Sequence, residues 1–188
     1  MCGRYSLAVA DDGLLRQRFA VGEAARPAKR FNICPGDDVL AVTAEGGAQL
    51  RWGLDRAINA RAETAAQTFA GLRRVLLPAD GFFEWHRGRP HHIAREDGAP
   101  FALAGLATRE RAVVVTCAPS PVVAALHDRM PLILEPEDEA AWLDPAVPVE
   151  ALARPFVALR AREVSRALND PRHDGPDVLD PPAQPALF

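Results

Sequence analysis

Short runs of alternating apolar and polar residues recur along the chain, separated by turns rich in Gly and Pro. Residues 3–9 read as a strand, and a helix opening at Asp11-Asp12 carries Leu14, Leu15 and Phe19. Phe31-Asn32-Ile33-Cys34-Pro35-Gly36 ends in a Pro-Gly turn, and strands over 38–44 and 48–53 follow across Gly46-Gly47. Residues 58–64 are polar at every second position. If extended, they project Asn59, Arg61 and Glu63 to one side before a helix around 65–74. Strands over 74–77 and 81–86 flank Pro78-Ala79-Asp80, and others follow at 91–95, 100–107 and 112–118. A helix from Pro121 to about Leu126, an acidic helix over 136–143 with Trp142 on its buried face, and a late strand over 156–160 complete the pattern. Many short strands with few helices predict an α+β fold, a single domain over 1–170 built on a strongly curved, mostly antiparallel sheet flanked by short helices. From 171 to 188 proline and glycine recur, and this Pro-rich tail is expected to be irregular with a mobile tip.

At 188 residues the chain suits one domain able to bury about 70% of its unfolded surface. Its 48% hydrophobic and 25% charged residues are ordinary for a globular protein. A formal charge of −3 argues against a uniformly basic nucleic-acid binder but leaves a local basic groove open. Lys29 is the only lysine, so 21 of the 22 basic residues are Arg, whose planar fork suits phosphate. A GC-rich genome produces the same bias. Three cysteines, an odd number, and no secretion-type leader point to a reducing cytoplasm. No apolar stretch approaches the roughly 18 residues of a membrane span. His91, His92, His127 and His173 show no ligand spacing, and zinc-type CxxC pairs are lacking, so neither metal nor cofactor is expected.

Three stretches carry candidate chemistry. Cys2 follows the initiator Met1, and a small second residue permits trimming, which leaves an α-amine beside the thiol. Such an amine titrates near 7.7 to 8.0, so roughly a fifth or more is neutral around pH 7.4, and a free thiol titrates near 8.5. An aldehyde meeting this pair forms an imine on which the thiol closes, giving a thiazolidine. On residue type alone, Cys2 equally reads as a small apolar residue opening a strand. Glu84 lies on the face of Phe82 and His86, with Phe83 and Trp85 opposite. A carboxylate in that company is partly desolvated, which raises its pKa toward values useful for proton transfer; an exposed Glu on a half-buried strand is the alternative. His127-Asp128-Arg129-Met130-Pro131 crowds an imidazole, a carboxylate and a guanidinium before a helix-ending proline. As a turn it needs no function; as a site it offers a proton shuttle and a phosphate fork. Cys117, inside an apolar run, reads as core.

Seven pieces in order resemble the SOS-response-associated peptidase (SRAP) family of abasic-site processing proteins. They are Met1-Cys2-Gly3-Arg4, Phe31-Asn32-Ile33-Cys34-Pro35-Gly36, Trp52-Gly53-Leu54, Ile58-Asn59-Ala60-Arg61-Ala62-Glu63-Thr64, Gly81-Phe82-Phe83-Glu84-Trp85, Leu126-His127-Asp128-Arg129-Met130-Pro131 and Val164-Ser165-Arg166. The resemblance implies a barrel-like sheet that binds single-stranded DNA and links covalently to abasic sites through the N-terminal cysteine, as part of the SOS response to DNA damage. It implies Cys2 as nucleophile with Asn59, Glu84 and His127 around it, and Arg4, Arg61 and Arg129 holding phosphates while Trp85 shapes the site. A monomer without metal or membrane partner is expected. Family members usually carry a longer, tryptophan-containing insert where only residues 54–58 separate Gly53 from Asn59 here.

On this reading Glu84 shuttles protons for opening of the sugar ring and loss of water. Asn59 orients the amine or the sugar, and His127 protonates the sugar oxygen or assists reversal. Two further readings use the same residues. A thiol peptidase would use Cys2 with Glu84 and His127 as acid and base, acting on its own Met1 or on another peptide, and would turn over peptides without DNA. A non-covalent module stacking single strands on Trp52 and Trp85 would bind intact and abasic strands equally.

Overall fold

The computed structural model describes residues 2–8, 12–19, 21 and 29–183. Thirteen strands are described: β1 (Tyr5–Leu7), β2 (Arg30–Ile33), β3 (Asp38–Thr43), β4 (Gly46–Trp52), β5 (Asn59–Arg61), β6 (Arg73–Ala79), β7 (Gly81–His86), β8 (Arg89–Arg95), β9 (Phe101–Ala107), β10 (Arg111–Cys117), β11 (Met130–Pro131), β12 (Ile133–Leu134) and β13 (Leu159–Glu163). Five of them close on themselves. The antiparallel path β4–β3–β6–β9–β10 returns to its start because β10 also runs parallel to β4, with Ala112 opposite Trp52. Residues 75–79, 101–107 and 112–117 are buried throughout, as strands covered on both faces must be, and β6 continues through Pro78 and Ala79 beyond the 74–77 expected. Gly105 is required at the tightest point, because a Cβ there would lie 2.9 Å from Val75 Cγ2.

A second, antiparallel sheet, β13–β8–β7–β1–β2, lies beside the barrel. Helices are short: α1 (Asp12–Phe19), α2 (Ala65–Thr68), α3 (Pro121–Ala124), α4 (Glu139–Leu143) and α5 (Val149–Leu152). Trp142 on α4 is fully buried, donates Nε1–H to the Val75 carbonyl at 3.0 Å, and carries the Arg74 guanidinium 5.0 Å over its ring. The α+β fold with a curved, barrel-like sheet and short flanking helices is therefore the observed one. Among the described residues, no helix is long and apolar enough to cross a membrane, and no group of three His, Cys, Asp or Glu could hold a metal ion.

Several boundaries differ from the sequence pattern. The helix expected over 65–74 stops after Thr68, and its place is taken by a turn at Gly71 (φ +81°) that releases the chain into β6. The late strand runs over 159–163, because Arg95↔Leu159 pairing with β8 starts only beyond the exposed Val157. The stretch from 171 to 183 holds a short 3-10 helix, Pro176–Leu179, and is packed. Asp174 accepts the backbone N–H groups of Phe31 (2.6 Å) and Asn32 (2.7 Å) and pairs with Arg30, while Val178 is buried with Phe83, Val164 and Leu168. Recurrent proline prevents regular periodicity, not burial. Val9, Asp11, the side chain of Leu14 and the tail tip from 184 lie outside the described residues.

Candidate active site

The site begins with a pairing. β1 lies antiparallel to β7 with Tyr5 opposite Phe82, and Phe83 N–H donates to the Arg4 carbonyl at 3.0 Å, so the chain before β1 runs alongside Glu84 and Trp85. Alternation along β7 then divides two roles. Phe82 joins the main core and Glu84, 4% exposed, follows on that face, whereas Phe83 joins the second cluster, against which half-buried Trp85 packs. Burial pushes the Glu84 carboxyl up to about 7, and the charge of Asp128 adds to the rise. A group poised there exchanges protons readily near neutral pH.

Cys2 is fully buried in this chain, which carries residue 1 ahead of it. Burial, and then the nearby Glu84 charge, push its thiol well above the ordinary range, so the resting group is neutral. Asn59 reaches the same place from the barrel. β5 is held parallel to β10 by Asn59↔Val114 pairing, and Asn59 Nδ2 donates to the Cys2 carbonyl at 3.0 Å and to the Ile58 carbonyl at 3.1 Å. Its Oδ1 is buried and accepts no hydrogen bond among the described residues. Such an orphan acceptor is costly unless a donor completes it.

His127 follows α3, whose N terminus is capped by Ser120 Oγ accepting from Val123 N–H. Its Nδ1 accepts from the Arg129 N–H at 3.0 Å and lies 2.9 Å from Asp128 Oδ1. The charge of Asp128 is felt by the Glu84 carboxyl, so this turn lies within electrostatic reach of Glu84.

The predicted phosphate arginines separate into distinct situations. Arg61 is exposed at the end of β5. Arg4 lies with its guanidinium 5.7 Å over the Trp85 ring while Nη1 donates to Asn32 Oδ1 and to the Leu168 carbonyl, both at 2.8 Å. Trp85 is itself steadied by Nε1–H donation to Asn169 Oδ1 at 2.8 Å. Arg129 differs: it is 8% exposed, its fork is taken by Glu63 (2.6 and 2.9 Å), and Nη2 also donates to the Thr116 carbonyl at 2.6 Å. Its Nη groups brace the His127 turn against β10, while its buried Nε has no partner among the described residues.

Sequence reasoning missed Asn32, which is fully buried. Its Nδ2 reaches the carbonyls of Asp170 (3.1 Å) and His173 (2.8 Å), and its Oδ1 holds Arg4. A polar residue inside the apolar β2 run was the available signal. The short 54–58 link is a tight turn: Leu54 and Ala57 exchange both backbone hydrogen bonds, Asp55 takes φ +52°, and Trp52 Nε1–H donates to the Ile58 carbonyl at 2.9 Å. A groove of about 580 Å³ between Phe69, Arg73 and Leu143 contains none of the predicted site residues.

Comparison with known proteins gives the family and the fold. An "Abasic site processing protein YoaM" of Bacillus subtilis is 32% identical over 96% of this chain and 98% of its own length. "Abasic site processing protein YedK" of Escherichia coli is 27% identical over 96% and 100%. The first alignment spans 225 residues against a chain of 188, so the relative has residues that this chain lacks. In fold, a crystal structure of a Bacteroides thetaiotaomicron protein superposes with a TM-score of 0.83 at 20% identity, covering 96% of this chain and 99% of the other. The SOS response associated peptidase description matches residues 1–171, and the chain belongs to this SRAP family.

Proposed function

We propose that this protein processes abasic sites in single-stranded DNA by capturing the sugar aldehyde on Cys2, once Met1 is removed. The observation that carries the proposal is the convergence on residue 2 of two groups: a buried carboxyl poised near 7 at Glu84 and an amide at Asn59 that holds the Cys2 carbonyl and whose acceptor oxygen is unused among the described residues. Removal of Met1 turns the Cys2 nitrogen from a peptide amide, which cannot form an imine, into a nucleophilic amine beside the thiol. The abasic sugar opens to its aldehyde, and the Cys2 amine adds to C1′. Protonated Glu84 gives its proton to the departing hydroxyl, so that water leaves and an iminium forms. Glu84, now ionised, takes the thiol proton as sulfur bonds to the same carbon. The sum is one C–N and one C–S bond formed and one water released, with Glu84 restored to its starting state.

A neutral thiol suits this order of events, since the thiol must wait for the iminium. It suits a thiol peptidase less, because that chemistry attacks with a pre-formed thiolate. In the proposed roles Arg4 and Arg61 hold phosphates beside Trp85, His127 protonates the sugar oxygen, and Arg129 braces the His127 turn. Two phosphate contacts on a single strand give a slope of roughly −1.4 for log K against log salt, and a slope near zero contradicts the groove. Gel-stable adduct on an abasic oligonucleotide tests the chemistry. Wild type should form it, whereas Cys2→Ala and a chain in which methionine removal is blocked should not. Adduct from either variant overturns the aminothiol reading.

A further inference from the structure

On the face of the second sheet opposite Glu84, β8 and β13 set three basic side chains side by side. Arg162 pairs with His92 and Arg160 with Ala94, and alternation puts residues 160 and 162 on the same side. These four residues line a cleft of about 70 Å³ with no acidic side chain in its wall. The Arg160 side chain makes no hydrogen bond or ion pair among the described residues, and Arg162 spends one donor, Nη1, on the Leu179 carbonyl at 2.6 Å. The imidazole edge of His92 rests on Gly81, where any Cβ would overlap Nε2. That Nε2 lies 3.5 Å from Ser6 Oγ, which donates its single proton to Asp80 Oδ1 at 2.6 Å. Ser6 can therefore only accept from His92, which leaves Nδ1 as the remaining polar atom of the ring.

We propose that this cleft is a phosphate-binding site distinct from the Cys2 site, in which Arg160 and Arg162 grip the oxygens of one phosphate group over His92. Two planar forks match a tetrahedral oxyanion, and a cleft of about 70 Å³ has room for one such group. Burial, with the charges of Arg162 and Arg160, pushes the imidazole down to about 4. A bound phosphate offsets those charges and accepts from Nδ1–H once the ring is protonated, while Nε2–H remains on Ser6 with Asp80 behind it. Arg160, Arg162 and Asp80 are the charged groups around the ring. The phosphate can be a diester of a DNA strand or a free phosphate, and the chemistry is shared.

The test follows the His92 ring signals of the full chain by NMR, first with inorganic phosphate and then with an intact single-stranded oligonucleotide. Phosphate should move these signals and raise the midpoint of the ring. Arg160→Gln and Arg162→Gln should each weaken the response about tenfold, the loss of one charge-assisted contact. Both variants should keep wild-type adduct formation at Cys2, which separates failure here from failure of the capture reading. The same shift from the oligonucleotide at lower concentration assigns the site to a strand; a shift from inorganic phosphate alone assigns it to a free phosphate. An unmoved His92 with both probes, or unweakened responses in the arginine variants, overturns the proposal.

Discussion

Glu84 shows how one residue acquires a role from its surroundings. Its carboxyl is ordinary in sequence, and burial on the Phe82 face raises it to about 7. Glu84→Gln keeps the shape and removes the proton. Adduct formation should slow by about 10²- to 10⁴-fold without vanishing, read as single-turnover rates on an abasic strand. The pH profile carries the same signature. Wild type should lose rate above about pH 7 as the acid ionises, and the variant should lack that limb. Asn59→Leu deletes both the bond to the Cys2 carbonyl and the unused acceptor. It should slow capture while leaving affinity for an intact strand unchanged, measured by fluorescence anisotropy.

Among the elements, β7 contributes most to the site. Its first residue, Gly81, is a glycine because His92 of the neighbouring strand occupies the space of a Cβ. Gly81→Ala should cost about 1–3 kcal/mol by overpacking, read in chemical denaturation, and His92→Ala in the same chain should recover most of it. The alternation that assigns Glu84 and Trp85 to opposite faces was legible in the sequence, as were Trp142 in its acidic helix and most strand positions, because each follows from local periodicity. Partnerships between distant segments were not. Nothing local to Arg129 shows that its Nη groups bind Glu63 and Thr116, and nothing local to Asn32 shows that it fastens Arg4 to the carbonyls of 168–173. The contribution of residues 171–183 was illegible for the same reason: Asp174 works by accepting from β2, some 140 positions earlier.

For the whole molecule, two buried groups make opposite demands on pH. Glu84 is raised from 4.5 to about 7, so the folded state holds a proton that the unfolded chain has released, and stability falls as pH rises across that window. His92 is lowered from 6.5 to about 4, so the unfolded chain binds the extra proton there, and stability rises with pH across its window. The two slopes offset between about 4.5 and 6.5. Asp80, also raised by burial, acts in the same direction as Glu84. Denaturant midpoints at pH 5 and 7 should therefore be similar in wild type. Glu84→Gln should expose the histidine slope and be less stable at pH 5 than at pH 7, by up to about 2 kcal/mol; equal midpoints in that variant contradict the assigned shifts. The proposal that an aminothiol at the processed terminus captures the sugar is tested most directly by intact mass spectrometry after incubation with an abasic single strand. The account predicts a chain lacking Met1 that gains the mass of the strand less one water, with the modification mapped to Cys2. A strand mapped to any other residue, or carried by chains that retain Met1, contradicts it.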